Sequence, residues 1–139
     1  MADTMPVENG DSLAKPRILV VEDEVLIRLS MADELRHAGF MVVEASNVDE
    51  ALAVLRADTD IEIVLTDIRM PGRLNGLDLA RWIRQNMSHI RVAIASANVE
   101  PEMRREFDAV FGKPVHMADV VAKLRQLLPS EEQYGPRDG

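Results

Sequence analysis

Between residues 17 and 128 the chain alternates short, β-branched apolar runs with longer amphipathic stretches, and this alternation leaves few architectures open. Ile18-Leu19-Val20-Val21 predicts a strand buried on both faces, and further runs predict strands over 41–44, 63–66, 92–95 and 110–111. Ile27, Met31, Leu35 and Ala38, at offsets 0, 4, 8 and 11, predict a helix facing the core, with Gly39 ending it in a left-handed turn. Asn47 and Glu50 resemble a capping box, and Val48, Ala51, Leu52 and Leu55 continue a second helix at offsets 0, 3, 4 and 7. Turn residues Pro71, Gly72, Asn75 and Gly76 precede a third helix over 77–86 that buries Leu79, Trp82 and Ile83. A short fourth helix is expected over 101–107. The last, over 116–128, lines up Val120, Val121, Leu124, Leu127 and Leu128 and stops at Pro129. Strands that alternate with helices must pair in parallel through right-handed crossovers, so the expected fold is a doubly wound α/β sheet of five parallel strands with helices on both faces.

The 139 residues carry 16 Lys and Arg against 24 Asp and Glu, a net charge of −8. The expectation is one domain over 16–128, with flexible tails at 1–15 and 129–139. An acidic chain lacks the clustered cations that phosphate-backbone binding needs, so nucleic acid is not an expected partner. The apolar runs are far shorter than the roughly 20 residues that cross a bilayer, and the first residues lack a signal's basic and apolar stretches, so no membrane partner is expected. The absence of cysteine removes disulfides, thiolate metal sites and thiol nucleophiles, leaving the cytoplasm as the expected location.

Open α/β sheets bind ligands beyond the carboxyl ends of their strands. Strand one is followed by Glu22, Asp23 and Glu24, strand three by Asp67, strand four by Ser96 and strand five by Lys113-Pro114. In the flavodoxin-like strand order 2-1-3-4-5 these groups converge on one acidic pocket holding one lysine and one hydroxyl. Taken singly, each has an ordinary explanation: carboxylates favour helix N-termini, and Lys-Pro and a terminal serine are common turn chemistry. Their joint occurrence at four strand ends is what points to a site. Two carboxylates about 4 Å apart repel by about 4 kcal/mol at an effective dielectric of 20. The cluster therefore calls for a cation, and hard oxygen ligands suit Mg²⁺. A carboxylate beside such an ion can act as nucleophile toward a phosphoryl group, with Lys113 and Ser96 as partners for its oxygens.

The runs ILVVEDE and VLTDIRMPG, the Ser96-Ala97 pair and the Lys113-Pro114 pair of FGKP resemble, in order, a bacterial response-regulator receiver domain over about residues 16 to 128. That resemblance implies phosphotransfer from a histidine kinase or histidine phosphotransfer protein, with Mg²⁺. It implies that Asp67 is the phosphoacceptor. Glu22, Asp23, Asp67 and the backbone carbonyl of Arg69 would serve the metal, Ser96 would be the switch hydroxyl, and Ala97 the small residue leaving the phosphate approachable. Lys113 would be the salt-bridging lysine. A stand-alone regulator is expected, because the eleven residues after Leu128 make no effector domain. Its output would then be an unknown downstream protein or phosphate relay, and it would be no enzyme beyond gaining and losing its own phosphate.

Three departures from the family pattern stand out. The loop Pro71-Gly72-Arg73-Leu74-Asn75-Gly76 is one residue longer than the usual loop of the family. Ser96 and Lys113 are only 17 residues apart, so the fourth helix should be short or irregular. Val110 stands where many receivers carry an aromatic residue. A hydrolase of the haloacid dehalogenase kind would need an acid two residues after the nucleophile, where this chain has Arg69. A purely constitutive binding module would not need the complete acid, Ser and Lys set, and nucleotide binding would need a Gly-rich loop after strand one.

Overall fold

The computed structural model describes residues 15–70 and 72–129. The expected tails therefore lie outside the described residues except at Lys15 and Pro129, as does Pro71. The elements are β1 (Arg17–Val21), α1 (Val25–His37), β2 (Met41–Ala45), α2 (Val48–Ala57), β3 (Ile63–Asp67), α3 (Gly76–Asn86), β4 (Arg91–Ser96), α4 (Pro101–Glu106), β5 (Ala109–Gly112) and α5 (Met117–Leu127). All neighbouring strands pair in parallel, in the order β2-β1-β3-β4-β5, which is the expected topology.

Alternate residues of each strand feed opposite cores, which is why the strands read as unbroken apolar runs. Leu19, Val21, Val64, Val92 and Ile94 meet Ala51 and Leu55 of α2 and Leu79 and Ile83 of α3. Ile18, Val20, Ile63 and Leu65 meet Met31 and Leu35 of α1 and Val120 and Leu124 of α5. Burial of each large side chain contributes roughly 1.5–3 kcal/mol, so the two layers hold the sheet between them. In register, Val21 lies opposite Ala45 and Thr66, Asp67 opposite Ala95, and Ser96 opposite Gly112. The strands thus end level with one another, and the residues that follow them share one edge.

Local sequence explains the helix ends. Gly39, at φ +103°, lets the chain leave α1 just past its Ala38 cap. Asn75 and Asp78 close a complete capping box on α3, each side chain accepting the other's backbone N–H at 2.9 Å. At α2 the box expected from Asn47 and Glu50 forms only in part. Asn47 accepts from the Glu50 N–H, but the Glu50 carboxylate accepts from the N–H and hydroxyl of Ser46, one residue further back.

One expectation for α1 is corrected. Ile27 is 42% exposed, not part of the core, and Val25, Leu26 and Leu29 are also exposed. The inward face is Arg28, Met31, Ala32 and Leu35, at offsets 0, 3, 4 and 7. The short fourth helix is borne out. It has six residues, none buried, and is held by the buried Phe107 just after it and by a two-bond ion pair from Arg81 to Glu106 at 2.8 and 3.2 Å. Trp82 packs only half-buried against the α2–α3 core.

Candidate functional site

β1 delivers Glu22 straight into the interior. Its N–H continues the ladder by donating to the Ala45 carbonyl at 3.0 Å, and its side chain is 3% exposed. One carboxylate oxygen accepts from the Glu24 N–H at 3.1 Å. Burial raises the Glu22 carboxyl above the ordinary 4.5, a rise that the Glu24 N–H opposes, Asp67 adds to, Lys113 opposes and Asp23 adds to. Carboxylate oxygens of Glu22, Asp23 and Asp67 all lie within 4.8 Å of one another.

Asp67 is the last residue of β3, the central strand, and is 8% exposed. Its Oδ1 takes an ion pair from Lys113 Nζ at 2.9 Å. Lys113 is brought there by the chain leaving β5, where its N–H donates to the Ser96 carbonyl at 2.9 Å and its bond to Pro114 is cis. Ser96 ends β4 and is 6% exposed. Its hydroxyl accepts from the Asn98 N–H and donates to the Asn98 carbonyl, both at 3.0 Å, so it currently closes the loop after β4. A cavity of about 200 Å³ opens beside these groups, lined by Asp67, Arg69, Ser96, Ala97, Met103 and Lys113 among others.

Every residue expected at the site is therefore at this edge. Glu22, Asp23 and Asp67 form the cluster, Lys113 bonds to Asp67, and Arg69, Ser96 and Ala97 line the adjoining cavity. A second and larger cleft, of about 880 Å³, lies at the opposite edge among Lys15, Arg17, Met41, His89, Arg91 and Pro129, and none of the expected site residues reaches it.

Two residues that meet the backbone of the site, at the Asp67 and Glu22 carbonyls, were not legible as such. Gly76, expected as a turn residue, is the first residue of α3, and its α-carbon lies against the back of Asp67. A Cβ there would stand 1.7 Å from the Asp67 carbonyl oxygen and 2.9 Å from Thr66 Oγ1. Thr66 Oγ1 in turn donates to that carbonyl at 2.9 Å. Arg28 is the other: a cation on the inward stripe of α1, which the template 28, 31, 32, 35 would have exposed as out of place.

Chemically the edge gathers three carboxylates against one ammonium, with one carboxyl pushed toward protonation by burial. A hard divalent cation would relieve that surplus, and the donor set is all oxygen, so the residues fit one. A carboxylate bonded to a lysine and facing open volume, as Asp67 is, can act as a nucleophile whose product charge the lysine would share.

The sequence profile of the response regulator receiver domain matches residues 18–125. A probable transcriptional regulatory protein of Picosynechococcus is 33% identical over 134 residues, 85% of this chain and 51% of the relative. The transcriptional regulatory protein BaeR of Escherichia coli is 32% identical, over 81% of this chain and 48% of its own. The chain thus spans about half the length of these curated relatives. Among solved structures, a response regulator receiver domain of Clostridium thermocellum superposes with a TM-score of 0.73 at 28% identity, covering 80% of this chain and 92% of that one. The response regulator TrrA of Thermotoga maritima, solved in complex with Mg²⁺-BeF, gives 0.71 at 30% identity over 81% and 99%.

Proposed function

The chain belongs to the response regulator receiver domain family of two-component systems, and from that premise we propose that it is a regulator, working in the cytoplasm, that accepts a phosphoryl group on Asp67. The donor is a phosphohistidine of a histidine kinase or histidine phosphotransfer protein. An Asp67 carboxylate oxygen forms the new bond to phosphorus as the N–P bond breaks, and the electron pair of that bond returns to the imidazole nitrogen. Lys113, already 2.9 Å from Oδ1, offers its ammonium to the incoming phosphoryl oxygens, and the Ser96 hydroxyl can turn from Asn98 toward them. Glu22, Asp23, Asp67 and the carbonyl of Arg69 would hold Mg²⁺, which when bound supplies charge neutralisation for phosphoryl transfer. Turning of Ser96 draws the loop after β4 inward and changes the surface offered to a downstream protein. The chemistry ends with gain and loss of the chain's own phosphoryl group.

The observation that carries this reading is the Lys113–Asp67 pair, set where three carboxylates meet at the end of the central strand. Acetyl phosphate with Mg²⁺, followed by intact mass, tests it. One phosphoryl group is expected on the native chain and none on Asp67→Asn. An undiminished mass gain in that variant would remove Asp67 from the role.

A further inference from the structure

The first half of α1 is turned inside out. Val25, Leu26, Ile27 and Leu29 are 42–80% exposed, while Arg28 occupies an inward position above Met31, Ala32 and Leu35 with its side chain only 15% exposed. A guanidinium held that far from water is costly unless its donors are met, so its partners identify its task. Nη1 donates to the Glu22 carbonyl at 2.9 Å, and Nε donates to Glu44 Oε1 at 3.2 Å. Glu44 on β2 is braced from its other oxygen by Arg36 at 3.2 Å. One guanidinium therefore ties together α1, β2 and the turn that follows β1.

The contact with that turn is specific in a useful way. The Glu22 carbonyl belongs to the peptide that joins Glu22 to Asp23, so fixing it fixes the plane between two of the three clustered carboxylates. The other bonds of the turn act elsewhere: the Glu22 N–H goes to Ala45, the Glu24 N–H to the Glu22 side chain, and the Arg28 N–H to the Glu24 carbonyl. None of these bonds is made to the carbonyl of the Glu22–Asp23 peptide, and the Arg28 side chain holds that carbonyl from behind.

We propose that Arg28 is a positioning residue, which locks the Glu22–Asp23 peptide so that both carboxylates converge with Asp67 on one cation. The inference rests on the reading of the cluster as a Mg²⁺ site. A group that orients ligands without touching the ion sets metal affinity by about 10- to 100-fold and leaves the nucleophile itself intact. Loss of Arg28 should therefore raise the Mg²⁺ concentration needed for phosphorylation, while the rate at saturating Mg²⁺ stays close to native.

Calorimetric titration of the full chain with MgCl₂, beside thermal melts, tests this. Arg28→Gln should weaken Mg²⁺ binding by about tenfold or more. Arg28→Lys, which can reach the Glu22 carbonyl or Glu44 but not both in the same fork, should recover part of the loss. Arg36→Gln removes the other cation on Glu44 without touching the turn, and should leave Mg²⁺ affinity native whatever it does to the melting temperature. Native affinity in Arg28→Gln, with affinity lost in Asp23→Asn, would overturn the role of Arg28 and leave the metal site standing. Equal losses in the Arg28 and Arg36 variants would reduce Arg28 to general stability, and a native chain that binds no Mg²⁺ would remove the metal reading itself.

Discussion

Replacing Gly76 with alanine would set a methyl carbon 1.7 Å from the Asp67 carbonyl oxygen and 2.7 Å from its carbonyl carbon. Carbon and oxygen in contact ordinarily stand about 3.3–3.6 Å apart, so about 1.6–1.9 Å of overlap must be relieved by backbone movement. β3 cannot yield easily, because it is paired along its length with β1 and β4. Overpacking of this kind costs about 3 kcal/mol, the upper end of its usual range, whereas the gain in helix preference and lost chain entropy returns about 1 kcal/mol. The net loss of about 2 kcal/mol should lower the melting temperature by roughly 8 °C in a domain of this size. The larger effect should be on phosphorylation, since the atom displaced belongs to the acceptor itself: a shift near 1 Å slows acetyl-phosphate labelling by about 10- to 100-fold. Gly39 supplies the contrast. It needs its positive φ but has nothing within 4 Å of a Cβ, so Gly39→Ala should cost about 1–2 kcal/mol and leave labelling at the native rate. Circular dichroism melts and intact-mass time courses on the two variants decide the matter. A Gly76→Ala protein that melts and labels like the native chain would refute the close-packing argument.

Glu22→Gln should stabilise the metal-free protein at pH 7 by about 1 kcal/mol and weaken Mg²⁺ binding, which melts with and without MgCl₂ would show. Because burial raises the folded Glu22 carboxyl above the ordinary 4.5, its cost is absent below that value and grows as pH rises through the folded one; a destabilised Gln variant would contradict this. Glu106 has the opposite sign. Its hydrogen bonds from Arg81 lower its carboxyl, so the α3–α4 tie is complete above pH 4.5 and is lost as pH falls through the lowered value, an effect of at most about 1 kcal/mol for a pair this exposed. Amide exchange over residues 101–106 should speed up in that acid range relative to α3. A beryllofluoride adduct should slow exchange over residues 98–108, where no α4 side chain is buried; unchanged exchange there with new protection on another face would place the output elsewhere.

The strand pattern and the site were readable for the same reason. Strands buried on both faces leave no charged residue except at their ends, so Glu22, Asp67 and Lys113 each marked a strand terminus, as the hydroxyl of Ser96 did for β4, and parallel topology does the rest. Helix faces are harder. On α1 the stripes 27-31-35-38 and 28-31-32-35 share Met31 and Leu35, and the apolar Ile27 favours the wrong one; only the tertiary demand for a donor at the Glu22 carbonyl selects Arg28. Gly76 failed differently, since a glycine after asparagine signals a turn by local chemistry whereas its necessity comes from a carbonyl nine residues away. The Arg81–Glu106 pair spans 25 residues and two crossovers, beyond any periodicity.

The path of the chain through the sheet also fixes where this unit can be joined to others. β1 begins and α5 ends at the edge opposite Asp67: Lys15, Arg17, Leu127 and Pro129 border one cleft, and Arg91 at the start of β4 donates to the Leu127 carbonyl. Both ends of the described fold therefore leave from the pole remote from the acid cluster. A fold threaded this way behaves as a cassette. A second protein joined directly at Lys15 or Pro129 would start from that pole, with Glu22, Asp23, Asp67 and Lys113 at the other.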